Sequence, residues 1–165
     1  MKPKRITEKY LYNAAIAYLE RFPTTVSHFR MHFVRKIEDS LCAYPDQDRQ
    51  LCHQLLNELI DKLCKMNILN DELYLENKIR SLRKKGHSAR SIQSKLQQKG
   101  LVTNTIQSEL EQTESSDLEA AITWIKRKRL IKNEPIKIMN TLARAGFNYE
   151  TSKKAIESSL QMILK

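Results

Sequence analysis

The amino-acid sequence predicts an all-α protein made of tandem three-helix modules, and three observations carry that prediction. Only three glycines and four prolines occur in 165 residues, too little turn material for a hairpin-rich sheet. Apolar residues recur three and four positions apart instead of alternating, the spacing of amphipathic helices. Finally, Leu96-Gln-Gln-Lys-Gly-Leu101 and Leu142-Ala-Arg-Ala-Gly-Phe147 superimpose at an offset of 46 residues (146 − 100), which marks an internal repeat.

The first module, residues 1–67, opens with Leu11, Ala14, Ala15, Tyr18 and Phe22 on one stripe. They predict a helix over residues 7–21 that ends before Pro23. Thr24 or Thr25 caps a second helix whose Val26, Phe29, Phe33 and Ile37 face inward. Cys52, Leu55, Leu56, Leu59, Leu63 and Met66 give a third. Residues 39–50 contain Pro45, Asp46 and Asp48 and are expected as an exposed loop. Ile37 stands where the later modules carry glycine, which lets the second helix run on toward Cys42 and makes this module the longest.

The second module, residues 68–113, places Leu75, Ile79 and Leu82 on a helix over residues 70–85. Ile92 and Leu96 follow over residues 88–99, and Ile106 and Leu110 lie on a short helix from Thr103. Gly86 and Gly100 stand where those helices stop, glycine being the residue that closes a helix C-terminus in the left-handed conformation. Ser88, and Thr103 or Asn104, offer side-chain oxygens to start the next helix. The third module, residues 114–165, begins with the capping box Ser116-Asp-Leu-Glu119 and continues with Leu118, Ala121, Ile122 and Ile125. Its second helix follows Asn133 and Pro135, with Met139, Leu142 and Ala143 inward. Gly146 ends it, and Asn148 caps a last helix carrying Ile156, Leu160 and Ile163. Units of about 45 residues have small cores, so the modules are expected to stack and share burial.

Composition narrows the function. With 29 Lys and Arg against 19 Asp and Glu, the formal charge is 29 − 19 = +10, which favours an anionic partner. No apolar run approaches the ~20 residues of a membrane helix. The start Met-Lys-Pro-Lys-Arg is charged like a signal region, but five residues, Asn13 among them, separate Lys9 from the cleavage-like Ala15-Ile-Ala17. Cys42, Cys52 and Cys64 lack the spacing of a disulfide framework and read as reduced thiols of a cytoplasmic protein.

A phosphate-binding glycine loop, a His-Glu-x-x-His pair and a Gly-x-Ser-x-Gly elbow are all missing, so no enzyme and no cofactor are expected. His28 and His32, four apart on one helix, have the spacing at which two imidazoles share a zinc ion, with Cys42, Cys52 or His53 as further donors. The alternative is that both flank the Phe29–Phe33 stripe and that the cysteines are small apolar fillers. The cysteines' lack of ligand spacing favours that alternative.

Charge is the strongest chemical feature. Between Asn77 and Ser108 stand Lys78, Arg80, Arg83, Lys84, Lys85, Arg90, Lys95 and Lys99, without one acid. A second cluster, Lys126, Arg127, Lys128 and Arg129, followed by Lys132, occupies the equivalent helix end one repeat later. Cations near a helix C-terminus each contribute about 0.3–1 kcal/mol against its partial negative charge. That accounts for one or two per helix end, not for a whole segment without carboxylates. Arg80, Arg83, Lys84, Lys85, Arg90, Lys95, Lys99 and Lys126 to Arg129 are therefore the candidate contacts to a phosphate backbone or an acidic protein groove. Trp124 lies about 100° around its helix from inward Ile125, placed either to seal the seam between modules or to face a partner, the seam being favoured.

Leu69-Asn-Asp-Glu72, Arg80-Ser-Leu-Arg-Lys-Lys-Gly86, Ser88-Ala-Arg-Ser-Ile92 and Lys95-Leu-Gln-Gln-Lys-Gly100 resemble the central repeat of the RecX family, regulators of the RecA recombinase. Tyr10-Leu-Tyr-Asn-Ala-Ala15 and Tyr18-Leu-Glu-Arg-Phe22 resemble its first helix, and Leu142-Ala-Arg-Ala-Gly-Phe-Asn-Tyr149 its last repeat. The resemblance implies three-helix repeats stacked into an elongated, curved array that settles in the groove of the RecA filament on single-stranded DNA. There it would suppress filament growth, ATP turnover, strand exchange and repressor cleavage, and would need no cofactor; apart from the resemblance, a monomer without membrane attachment is expected. The alternative is a sequence-specific regulator of the helix-turn-helix type, reading base edges with Arg90, Gln93 and Gln97.

Overall fold

Side-chain oxygens start most of the helices. Thr7, Thr25, Asp48, Ser88 and Ser116 each accept a hydrogen bond from the first turn of the helix they precede. Asn70 does the same for the Leu73 N–H and Asn148 for the Thr151 N–H. Each such cap satisfies a donor that the helix itself leaves open and contributes about 1 kcal/mol. The computed structural model describes residues 3–112 and 116–161, among which nine α-helices, one 3-10 turn and no strand occur. The helices are α1 (Glu8–Leu19), α2 (Val26–Ala43), α3 (Arg49–Lys65), α4 (Asp71–Lys84), α5 (Ala89–Gln97), α6 (Thr103–Gln112), α7 (Asp117–Arg127), α8 (Pro135–Arg144) and α9 (Tyr149–Gln161). The fold class is all-α. The helices form two units that divide inside α4, after Tyr74.

In the first unit, Leu11 and Ala15 of α1 meet Phe29, Phe33 and Ile37 of α2 and Cys52, Leu56, Leu59, Ile60 and Leu63 of α3. Phe29 and Phe33 stack at 4.5 Å, and each buried side chain of that size contributes about 1.5–3 kcal/mol. The Ser40 hydroxyl donates to the Lys4 carbonyl (2.7 Å), and the Gln47 side chain accepts from the Ile6 N–H (2.7 Å), fixing the amino-terminal strap. Three sequence expectations change here. The loop expected over residues 39–50 shrinks to residues 44–48, because α2 runs on past Cys42 to Ala43, the extension expected from Ile37, and buries Ser40 and Leu41. Phe22 is 57% exposed, since α1 ends at Leu19 and its stripe does not reach that far. Met66 terminates α3 and is exposed, while Ile60 points inward.

In the second unit, Ala120, Ala121 and Ile125 of α7, Ile138 and Leu142 of α8, Phe147, and Ala155 and Ile156 of α9 form one core. A 3-10 turn, Leu130–Lys132, which periodicity did not reveal, joins α7 to α8. Ala143 is exposed, and Ile138, four residues before Leu142 and on the same face of α8, is buried in its place. Leu160 is likewise exposed, and Ile163 lies outside the described residues.

Gly86, with φ at +78°, closes α4 and lies flat on α7: a Cβ there would fall 2.8 Å from the Ala120 carbonyl and from the Trp124 nitrogen. Both the left-handed backbone and the close approach require glycine. Gly146 repeats the device at the end of α8, where a Cβ would fall 2.8 Å from the Ser88 hydroxyl. That hydroxyl donates to the Ala145 carbonyl (2.7 Å). The ends of α4 and α8 are thus locked onto α7 and onto the start of α5.

Candidate functional site

The expected cations all lie in the second unit, Arg80, Arg83 and Lys84 on the part of α4 that belongs to it, and the structure sorts them into three roles. Arg83 does not present its charge. It is 7% exposed, ion-paired with Asp117, and donates to the His87 carbonyl (3.2 Å). Asp117 also accepts from the Ala89 N–H (2.9 Å), so one carboxylate ties α4, α5 and α7 together. Arg83 was expected among the partner contacts; as it stands, its guanidinium holds the fold. Arg80 is exposed but engaged with Glu76 one turn earlier. Lys84, Lys85, Lys126 and Arg129 are exposed around the ends of α4 and α7. Arg127 donates to the Lys85 carbonyl (2.7 Å), which brings two basic runs some forty residues apart in sequence to one place. Arg129 has φ at +53°, left-handed backbone for which glycine is the unstrained choice.

Arg90, Lys95 and Lys128 form the third group, lining an open groove of about 890 Å³ between α5, α7 and α8. Arg144 joins them from the end of α8, and no acidic residue lines the groove among the described residues. Charges from three helices therefore converge on one concavity, although sequence reading placed them in two patches. Lys99, near the end of α5, does not line it. Four like charges at close quarters set up the positive potential that draws an anion in.

Trp124 and His87 form the groove's aromatic wall, with ring centroids 5.4 Å apart at 62°. The Lys128 ammonium lies 5.5 Å from the Trp124 centroid, in cation–π range. Trp124 therefore meets both descriptions offered for it. Its backbone nitrogen lies against Gly86 in the seam, and its half-buried ring faces the groove. Partial burial, then the charges of Lys95, Arg127 and Lys85, hold the His87 imidazole below its usual range, which keeps it neutral at neutral pH. The Ser91 hydroxyl lies 3.4 Å from its Nδ1.

Sequence reasoning did not reach Arg144 or His87. A signal for the first was available: Arg144 sits one repeat after Gln98 (144 − 98 = 46), and both line the groove. The histidines once considered for zinc behave differently. His32 stacks on Tyr18 at 4.3 Å, and His53 faces Glu38 at 3.1 Å. Among the described residues no three His, Cys, Asp or Glu gather as a metal site, and no helix is long and apolar enough to cross a membrane.

Comparison with known proteins places these observations. No family model matches the chain. It is 31% identical over 169 residues to the Regulatory protein RecX of Myxococcus xanthus, covering 96% of this chain and 90% of that relative. Against the Regulatory protein RecX of Streptococcus agalactiae it is 26% identical over 136 residues, 79% of this chain but 52% of the relative, so it spans about half that protein's length. Among solved structures, the crystal structure of RecX from Lactobacillus salivarius matches with a TM-score of 0.65, covering 94% of this chain and 97% of that one at 22% identity, a likeness of fold.

Proposed function

Because the chain belongs to the RecX family of regulatory proteins, we propose that it regulates the RecA recombinase by binding the RecA filament on single-stranded DNA. It slows the filament's ATP turnover, strand exchange and coprotease activity, acting as a binding protein and not as an enzyme. The observation that carries this reading is the groove, free of acids among the described residues, in which Arg90, Lys95, Lys128 and Arg144 converge. A nucleoprotein fibre is a dense, repeating polyanion, and four cations on a clamped scaffold meet it without first having to be ordered. The exposed Lys84, Lys85, Lys126 and Arg129 supply further contacts near the groove. Weak contacts on one body reinforce each other, because the second forms at the effective concentration set by the first.

The test is RecA ATP turnover on single-stranded DNA with and without this protein. Inhibition that weakens on replacing Lys84, Lys85, Lys126 and Arg129 by Glu supports the reading; turnover unaffected by the wild-type protein ends it. A sequence-specific duplex reader would use α5 as a projecting recognition helix. Here Arg90 and Lys95 of α5 line a concavity, and the Gln97 amide donates to the Thr103 hydroxyl (2.8 Å). Selection of a defined duplex in the absence of RecA would restore that alternative.

A further inference from the structure

The groove is built from more than charge. We propose that it holds a short stretch of single nucleic-acid strand directly, with Arg90, Lys95, Lys128 and Arg144 on the phosphates and the His87–Trp124 pair against a base. This rests on the filament reading above and names which component of the filament the groove touches: the strand, not acidic side chains of the recombinase.

Three features favour a strand over an acidic protein surface. The first is size: about 890 Å³ lies in the range of about 300–1,000 Å³ that engulfs a ligand of nucleotide dimensions, far more than one carboxylate side chain fills. The second is the wall. A carboxylate needs cations alone, whereas a base needs an aromatic face to lie on, and the Trp124 ring supplies one beside the cations, with His87 set edge-on to it. Cationic grooves with aromatic platforms are how proteins hold unpaired strands without reading their sequence. The third is the lining that remains. Ser94 and Gln98 add a hydroxyl and an amide suited to phosphate oxygens and base edges, and among the described residues no carboxylate lines the groove to repel the backbone. Lys128, on a flexible stem over the indole, leaves the ring when a phosphate offers a stronger partner, and the base takes its place.

Trp124 is the one tryptophan of the chain, so its fluorescence reports on this groove directly. The full-length protein is titrated with a short oligothymidylate and, separately, with a glutamate peptide of equal charge. The oligonucleotide is expected to quench Trp124 and the peptide to leave it unchanged at matched ionic strength. With four phosphates neutralised at about −0.7 in logarithmic slope each, affinity falls about 50-fold between 50 and 200 mM salt. Arg90→Ala with Arg144→Ala leaves two contacts and a fall of about 7-fold. Both arginines are exposed, and unchanged circular dichroism verifies the fold. Absence of quenching by the oligonucleotide, equal quenching by the peptide, or an unaltered salt slope in the double variant overturns the proposal. RecA turnover measured alongside separates the two claims. Intact inhibition without quenching rejects the groove assignment alone, whereas quenching without inhibition keeps the groove as a strand site and ends the filament reading.

Discussion

Arg83→Ala separates a charge that builds the fold from one that meets a partner. The side chain is 7% exposed, and its carboxylate partner on Asp117 is 29% exposed. Breaking a fully buried pair costs about 3–5 kcal/mol, and an exposed pair contributes about 0–1. A half-shielded pair falls between, at about 2 kcal/mol. The hydrogen bond to the His87 carbonyl adds about 1. The Nε of Arg83 is buried without a partner among the described residues, so its removal returns a fraction of that sum. The net loss is about 2–3 kcal/mol. For a unit of this size, spanning Leu75–Lys165, that lowers the Tm by roughly 10–20 °C. The assay is urea or thermal unfolding followed by Trp124 fluorescence, which reports on the second unit alone. Lys84→Ala, one residue along and exposed, is the control and should shift stability by no more than about 0.5 kcal/mol. If Arg83→Ala unfolds at the wild-type midpoint and weakens anion binding instead, the assignment of Arg83 to the fold is refuted.

Two further outcomes follow from the same unit. Gly86→Ala forces an L residue into left-handed backbone, about 1–2 kcal/mol, and pushes a methyl to 2.8 Å from the backbone of α7, about 1–3 kcal/mol more. Thermal unfolding should show a loss of about 3 kcal/mol, and a wild-type midpoint would mean that the α4–α7 approach is not as tight as drawn. His87 gives a pH dependence. Its pKa is lowered on folding, first by burial and then by Lys95, Arg127 and Lys85, so below the ordinary value of about 6.5 the unfolded chain binds the proton more readily. Stability should be complete above that value and decline as pH falls from it toward the lowered folded-state value. His87→Gln should flatten the decline between pH 7.5 and 5.5, and an identical slope in the variant would count against the assignment.

How far the sequence could be read depended on the range of the interaction involved. Helix starts were legible because the determinant is local: Thr25, Ser88 and Ser116 each bond a nitrogen three residues ahead. Helix ends at Gly86 and Gly146 were legible for the same reason, the left-handed residue announcing itself in the chain. Inward faces were read well in mid-helix and badly at the ends. Phe22, Met66, Ala143 and Leu160 continue a pattern past the place where packing stops. The site was legible as charge but not as geometry. Arg83 and Lys84 are adjacent letters of the same chemical kind, yet only the long-range partner Asp117, 34 residues on, decides that one is buried and the other free to face solvent. Periodicity carries no information about that pairing, nor about the convergence of Arg90, Lys128 and Arg144.

The buried tie and the open groove are two parts of one arrangement. Arg90, Lys95, Lys128 and Arg144 repel one another, and left on separate mobile helices they would spread apart. What holds them together is set behind them: Asp117 gripping Arg83 and the Ala89 N–H, Ser88 on the Ala145 carbonyl, Arg127 on the Lys85 carbonyl, and two glycines that let α4 and α8 end in backbone contact with their neighbours. Each of these contacts joins an element that bears a groove cation to one that bears another, or to the turn that positions it. The repulsion is thus carried by the folding energy of the second unit, and an anion entering the groove relieves it. Binding and stability are coupled through that relief, by about 2.7 kcal/mol at a hundredfold excess over Kd for any ligand that binds only the folded form. A scaffold strained in this sense favours a polyanion that contacts all four charges at once over a single carboxylate that reaches one.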